Sequence, residues 1–225
     1  MKRILAAIIA AALLLSGCTS ASRPAESAPP TGTPSPSPTP VVTPTPEPEP
    51  ADDELVLVRD YIPGIFIDLK YATTDNFTGR VIYDSDEAYL RYGTVKKLLC
   101  AQNELSGRGL SLKIWDAYRP VSAQFKLWEI CPNPVYVSDP NNGYSKHSRA
   151  NTVDITLVTD TGESISMPSG FDDFTSLADR DYSDVSAEAA ENARLLENVM
   201  VENGFVPYSG EWWHYSDSVA YDVYG

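Results

Sequence analysis

The 225 residues contain only two histidines, and both lie where chemistry is conceivable. His147 sits in Ser145-Lys146-His147-Ser148-Arg149, and Asp154 follows seven residues later. His214 closes Glu211-Trp212-Trp213-His214. With so few imidazoles, any metal site of three or four protein ligands must recruit a carboxylate or a cysteine. Two imidazoles and Asp154 make a three-ligand Zn²⁺ set with its fourth position open to water. Such a site needs a further carboxylate, close to the ligands but not among them, to take the water's proton. Glu211 is the local candidate. Taken singly, each histidine is compatible with a packed or surface residue. Together, each with a carboxylate a few residues away, they weaken that reading without disposing of it, and a metal site stands beside it.

The elements that must position these residues are legible from periodicity. Residues 55–58 and 65–71 read as short strands. Residues 86–105 have helical spacing, with Tyr89, Val95, Leu98, Leu99, Gln102 and Leu105 at threes and fours, and stop at Ser106-Gly107. A strand follows, in which Leu110, Leu112 and Ile114 alternate. Pro120 then opens a helix over 121–130. Residues 132–145 are loop-like. Residues 150–158 alternate, placing Val153, Ile155 and Leu157 on one face and Thr152, Asp154 and Thr156 on the other. A helix over 186–203 starts at Ser186, and short strands at 205–208 and 212–215 finish the domain. In a regular strand Glu211 and His214 face opposite sides, so this segment must bend or bulge, which Gly210 would permit. Helices and strands without a regular βαβ rhythm indicate one compact α+β domain, with a small mostly antiparallel sheet and flanking helices.

Composition separates the chain into parts. Eleven of its 18 prolines fall in residues 23–50, among Ser, Thr and Glu, a composition that cannot bury a core. Residues 1–17 (MKRILAAIIAAALLLSG) have the shape of a secretory signal, with an apolar run too short for a membrane span of ~20 residues. Leu15-Ser16-Gly17-Cys18 resembles the lipobox of bacterial lipoproteins, which implies cleavage before Cys18 and lipidation of its thiol. The expected organisation is a signal peptide over 1–17, a lipidated Cys18 with a tether over 18–51, and a catalytic domain over 52–225. As polyproline II, the roughly 28 proline-rich residues would reach at most ~90 Å. The expected location is therefore outside the membrane, on a lipid anchor at the cell surface, the alternative being an ordinary secreted protein that carries Cys18. The formal charge of −14 argues against nucleic acid as a partner, since phosphate binding draws on clustered Lys and Arg. Cys100 and Cys131 are compatible with either a disulfide or two separate thiols.

The pattern Ser145-x-His147-(x6)-Asp154, followed by Glu211-Trp-Trp-His214, resembles the D-alanyl-D-alanine dipeptidases of the VanX type. The similarity continues in Lys70-Tyr71-Ala72-Thr73-Thr74-Asp75-Asn76-Phe77-Thr78-Gly79, in Trp115-Asp116-Ala117-Tyr118-Arg119-Pro120, and in Asp160-Thr161-Gly162-Glu163. It covers essentially residues 55–216. The resemblance implies a zinc D,D-peptidase (hedgehog/DD-peptidase-like) fold and one Zn²⁺ per chain on His147, Asp154 and His214. It implies Glu211 as general base and Arg119 as stabiliser of the oxyanion. It also implies that Tyr71, Asp116, Ser145 and Asp172 line a small dipeptide pocket, with Asp172 toward the substrate ammonium and Ser145 toward its carboxylate. The sequence departs from the family pattern at Ala150, usually Gly, and at Thr152, usually Ala. Ala150 places a Cβ where the chain needs an unusual φ.

The expected activity is therefore zinc-dependent hydrolysis of D-Ala-D-Ala, or related small D,D-peptides, at the outer face of the membrane in cell-wall peptide turnover. Two alternatives are a D,D-carboxypeptidase trimming peptidoglycan stem peptides and a non-catalytic wall-binding lipoprotein on the same scaffold.

Overall fold

The computed structural model describes residues 48–225. The expected signal peptide, Cys18 and nearly all of the expected tether lie outside the described residues. Among the described residues, no helix is long and apolar enough to cross a membrane.

The elements in chain order are β1 (Leu55–Leu57), α1 (Val58–Tyr61), β2 (Phe66–Ile67), β3 (Tyr89–Arg91), α2 (Tyr92–Ser106), β4 (Leu110–Asp116), α3 (Val121–Ile130), β5 (Thr152–Thr159), α4 (Ala187–Glu202), β6 (Phe205–Tyr208) and β7 (Glu211–Asp217). Short 3-10 turns span Lys70–Ala72, Lys146–Arg149 and Ser176–Ala178. Five strands form the main sheet in the order β2-β4-β5-β7-β6, and β1 pairs with β3 separately. Only the β2–β4 pairing in the main sheet is parallel.

The long helices follow the apolar stripes. Val95, Leu98 and Leu105 of α2, and Ala193, Leu196 and Met200 of α4, are buried in one core with Leu112, Ile114, Val153, Ile155 and Leu157 of the sheet. Ser186 caps α4, its side chain accepting from the Ala189 N–H at 3.1 Å, which satisfies one of the helix's orphan donors. β5 lies between β4 and β7 and is buried on both faces, so its polar face looks into the protein and not into water.

Two expectations need correction. Helical spacing extends to residue 86, but Tyr89–Arg91 pairs with Leu57–Leu55 as antiparallel strand, and the helix begins only at Tyr92. Long-range pairing there buries Leu90 completely, a gain that local spacing does not report. Likewise only Phe66–Ile67 of the 65–71 strand pairs with β4, while Lys70–Ala72 turns and sends Tyr71 inward. Cys100 and Cys131 are free thiols, the first exposed and the second half-buried.

Ala150 follows the 3-10 turn at φ 57°, ψ 29°, in the left-handed region. A Cβ there costs about 1–2 kcal/mol, part of which glycine would return as extra unfolded-state entropy. Ala150→Gly is expected to stabilise the protein by about 0.5–1 kcal/mol, raising Tm by a few degrees in calorimetry. The β-branched Ala150→Val should lower it.

Candidate metal and catalytic site

Sheet register aligns the reacting groups. Asp116 at the end of β4 pairs with Asp154 of β5, and Asp154 pairs with His214 of β7. Three residues far apart in sequence thus form one row across neighbouring strands. The 3-10 turn after Ser145 adds His147 beside Asp154, and the Ser145 Oγ caps that turn by accepting from the His147 N–H at 3.3 Å.

β7 is bulged, as the odd spacing of Glu211 and His214 requires. Adjacent residues Pro207 and Tyr208 of β6 face Tyr215 and Glu211 respectively, leaving Trp212, Trp213 and His214 as excess chain. Both tryptophans are buried. The bulge brings Glu211 Oε2 to 3.4 Å from His214 Nδ1. Pro207 is tolerated because β6 is an edge strand.

His147, Asp154 and His214 each offer a ligand atom within 4.8 Å of the others. His147 Nε2 lies 3.3 Å from Asp154 Oδ2, and His214 Nδ1 lies 3.0 Å from Asp154 Oδ1. Two ligands bonded at 2.0–2.1 Å around a tetrahedral ion stand ~3.3 Å apart, so this spacing fits zinc. Asp154 Oδ1 is fully buried and receives no aligned hydrogen bond, an arrangement a cation would satisfy. His147 Nδ1 is 2.9 Å from the Ala117 carbonyl oxygen and donates to it in the tautomer that leaves Nε2 free as a ligand.

Electrostatics sharpen these roles. Burial disfavours the Asp154 carboxylate, but the flanking imidazoles outweigh it and hold its pKa well below the ordinary range. Burial lowers the basicity of His147, and Asp154 and Asp116 more than compensate, raising its pKa. Burial, then the Asp154 charge, raises the pKa of Glu211, making it a better base than an exposed carboxylate. Glu211 keeps 36% of its side chain exposed, which leaves it open to solvent and substrate.

Arg119 is held from behind. Asp116 accepts from its Nη2 at 2.6 Å and its Nε at 3.2 Å, and Gln124 Oε1 accepts from Nη1 at 2.9 Å. The guanidinium lies over the Tyr71 ring, 5.1 Å from its centroid. Of its five N–H groups, one on each terminal nitrogen remains to meet a substrate oxygen. Asp116 itself is fully enclosed, taken up by Arg119, the Tyr83 hydroxyl and the Ala117 N–H. It therefore orients Arg119 and does not line an open pocket.

The other expected pocket residues fall on two sides. Ser145 lines a cavity of about 280 Å³ with Lys146, Tyr208, Glu211 and His214. Asp172 lines a separate cavity of about 460 Å³ with Lys70, Trp115 and Phe171. Its carboxylate accepts from the Tyr71 hydroxyl at 2.7 Å, linking it through Tyr71 to Arg119. Burial, with the Asp154 charge adding to it, pushes the Asp172 carboxyl up to about 7.

Tyr83 and Gln124 had no place in the sequence reading. For Gln124 a signal existed, since it neighbours Ala123 and precedes Leu127 by three on a helix face that turns inward. Tyr83 lies in a loop and carried none.

A family model described as D-ala-D-ala dipeptidase matches residues 51–222. A D-alanyl-D-alanine dipeptidase of Escherichia coli K12 is 39% identical over 162 residues, covering 72% of this chain and 83% of that protein. One from Enterococcus faecium is 35% identical, covering 69% and 87%, and one from Streptomyces coelicolor is 36% identical, covering 72% and 91%. Among solved structures, VanYB in complex with D-alanine-D-alanine aligns with TM-score 0.41 and 16% identity, over 69% of this chain and 86% of that one.

Proposed function

The chain belongs to the D-ala-D-ala dipeptidase family, a family of zinc-dependent peptidases, and from that premise we propose that it hydrolyses the dipeptide D-Ala-D-Ala. The observation that carries this reading is the convergence of His147, Asp154 and His214 on one point, with Glu211 beside them and outside the set. The donor set and its spacing fit zinc, which when bound supplies Lewis acidity and acidifies a water.

The protein's own groups do the rest. Glu211 accepts the proton of the attacking water and delivers it to the leaving amine nitrogen. The two uncommitted N–H groups of Arg119 donate to the oxygen that becomes negative as the peptide carbonyl is attacked. Asp116, Gln124 and Tyr71 hold that guanidinium in place beforehand, so little reorganisation accompanies the reaction. Asp172 takes the substrate ammonium, and Ser145 donates its hydroxyl to the substrate carboxylate.

The signal-like residues 1–17, Cys18 and the proline-rich segment support a lipid-anchored enzyme working outside the membrane. There its role is turnover of cell-wall peptides, not removal of a cytoplasmic dipeptide pool. The purified protein should hold about one zinc per chain by metal analysis and release D-alanine from D-Ala-D-Ala. A panel of D,D-, L,D- and L,L-dipeptides with a stem pentapeptide defines the range, and a pentapeptide cut faster than the dipeptide would replace the reading with a carboxypeptidase.

Asp172 gives this reading a pH signature. Its carboxyl titrates near 7, so it gains a proton, and loses the charge an ammonium needs, as pH falls through that value. KM is expected to rise about tenfold per unit below about pH 7, with kcat changing less. Asp172→Asn should raise KM throughout and flatten its pH dependence. Unchanged KM in that variant would remove Asp172 from the substrate site.

A further inference from the structure

The turn that carries His147 is gripped on its far side by Arg91 and by residues 221–224. Every carbonyl from His147 to Ala150 is occupied. The Arg119 and Ala150 N–H groups donate to the His147 oxygen, and the Tyr224 N–H donates to Ser148 O at 2.9 Å. Arg91 Nε donates to Arg149 O at 3.1 Å, and the Arg91 backbone N–H to Ala150 O at 2.8 Å. Arg91 also reaches two other segments, donating Nη1 to Asp53 O at 2.6 Å and Nη2 to Asp222 O at 2.8 Å. The rings of Tyr221 and Tyr224 lie 5.5 and 4.8 Å from its guanidinium carbon. Arg149 Nη1 closes the clasp on Tyr221 O at 2.8 Å.

Arg91 is buried and, among the described residues, makes no ion pair; carbonyl oxygens and ring faces satisfy it instead. A planar guanidinium suits this task, because its fork reaches three carbonyls in divergent directions at once. Charge-assisted hydrogen bonds of this kind are stronger than neutral ones. What they hold is a turn ending in the left-handed Ala150, a backbone that would otherwise relax. From the front, the same turn is fixed by the contact of His147 Nδ1 with Ala117 O.

We propose that Arg91, with the 221–224 segment it gathers, is a positioning clamp that presets His147 for the metal. The inference rests on the zinc site of the proposed function, but its readout is metal affinity and not hydrolysis. The full chain, its Arg91→Met and Arg91→Lys variants, and Arg149→Met are titrated with Zn²⁺ against a chromophoric chelator. The Co²⁺-substituted proteins are compared by visible absorption, and the melting temperature of each zinc-free protein is recorded.

Arg91→Met is expected to weaken zinc binding 10–100-fold, the range for loss of an outer-shell support. Lysine should fail to restore it, since one ammonium cannot span three diverging carbonyls. The Co²⁺ spectrum of Arg91→Met should lose intensity or shift. Arg149→Met, which opens only the clasp on Tyr221, should weaken zinc by a smaller factor, and it carries the test if Arg91→Met does not fold. Folded variants that bind zinc within twofold of the unaltered chain, with an unchanged Co²⁺ spectrum, overturn the clamp even where melting temperature falls. An unaltered chain that binds no zinc overturns the metal reading itself. One that binds zinc but leaves D-Ala-D-Ala intact overturns the dipeptidase reading alone.

Discussion

Glu211→Gln is expected to lower kcat by about 10²–10⁴ while leaving zinc content unchanged. The amide keeps the shape of the carboxylate but cannot accept a proton. Glu211 stands outside the trio of metal-ligand candidates, so its loss should not release the ion. Burial raises its pKa, with the Asp154 charge next, and a base of raised pKa takes a water proton more readily. The measurement is kcat on D-Ala-D-Ala together with metal analysis of the same sample. Activity above a tenth of the unaltered protein's would remove Glu211 as base, and zinc loss alongside activity would make it a ligand instead.

Asp154→Asn is expected to abolish stoichiometric zinc and, with it, activity. Asp154 is the only carboxylate in the trio, lies almost wholly buried, and faces an imidazole with each oxygen. An amide of nearly the same volume leaves the packing of β5 intact but removes the charge that balances a divalent ion in a site sheltered from water. The loss of affinity should exceed the roughly 10–100-fold that an outer-shell change costs. Equilibrium dialysis against buffered zinc reads it directly. Retention of one zinc per chain at unaltered affinity would exclude Asp154 from the ligand set.

Much of this was legible in one dimension. Apolar stripes marked α2 and α4 because a helix burying one face must repeat its large residues at threes and fours, and Leu98, Leu105, Leu196 and Met200 do so. The alternation at 152–157 marked β5. The need for a bulge in Glu211–His214 followed from strand geometry alone, since an odd spacing cannot place both side chains on one face. The left-handed backbone at Ala150 was anticipated only through the family resemblance, whose pattern has glycine there.

Long-range pairing was not legible. Tyr89–Arg91 has helical spacing and became strand because Leu55–Leu57, more than thirty residues earlier, was available to pair with it. Asp116 looked like a residue of the substrate pocket, and Tyr83, 33 positions away, helps to enclose it behind Arg119. A side chain's neighbours across the sheet are set by register, which no local pattern encodes.

By itself the sequence determined which groups were available: two histidines and a few carboxylates in motif-like settings, a domain's worth of apolar periodicity, and a proline-rich stretch without that periodicity. Those follow from residue types and spacings along one chain. Only the tertiary structure decided how the groups meet. The alignment of Asp116, Asp154 and His214 on three strands, the division between groups that face the cleft and groups that brace them, and the grip of Arg91 on the His147 turn all depend on distances between residues remote in sequence. Those distances are products of strand register and core packing.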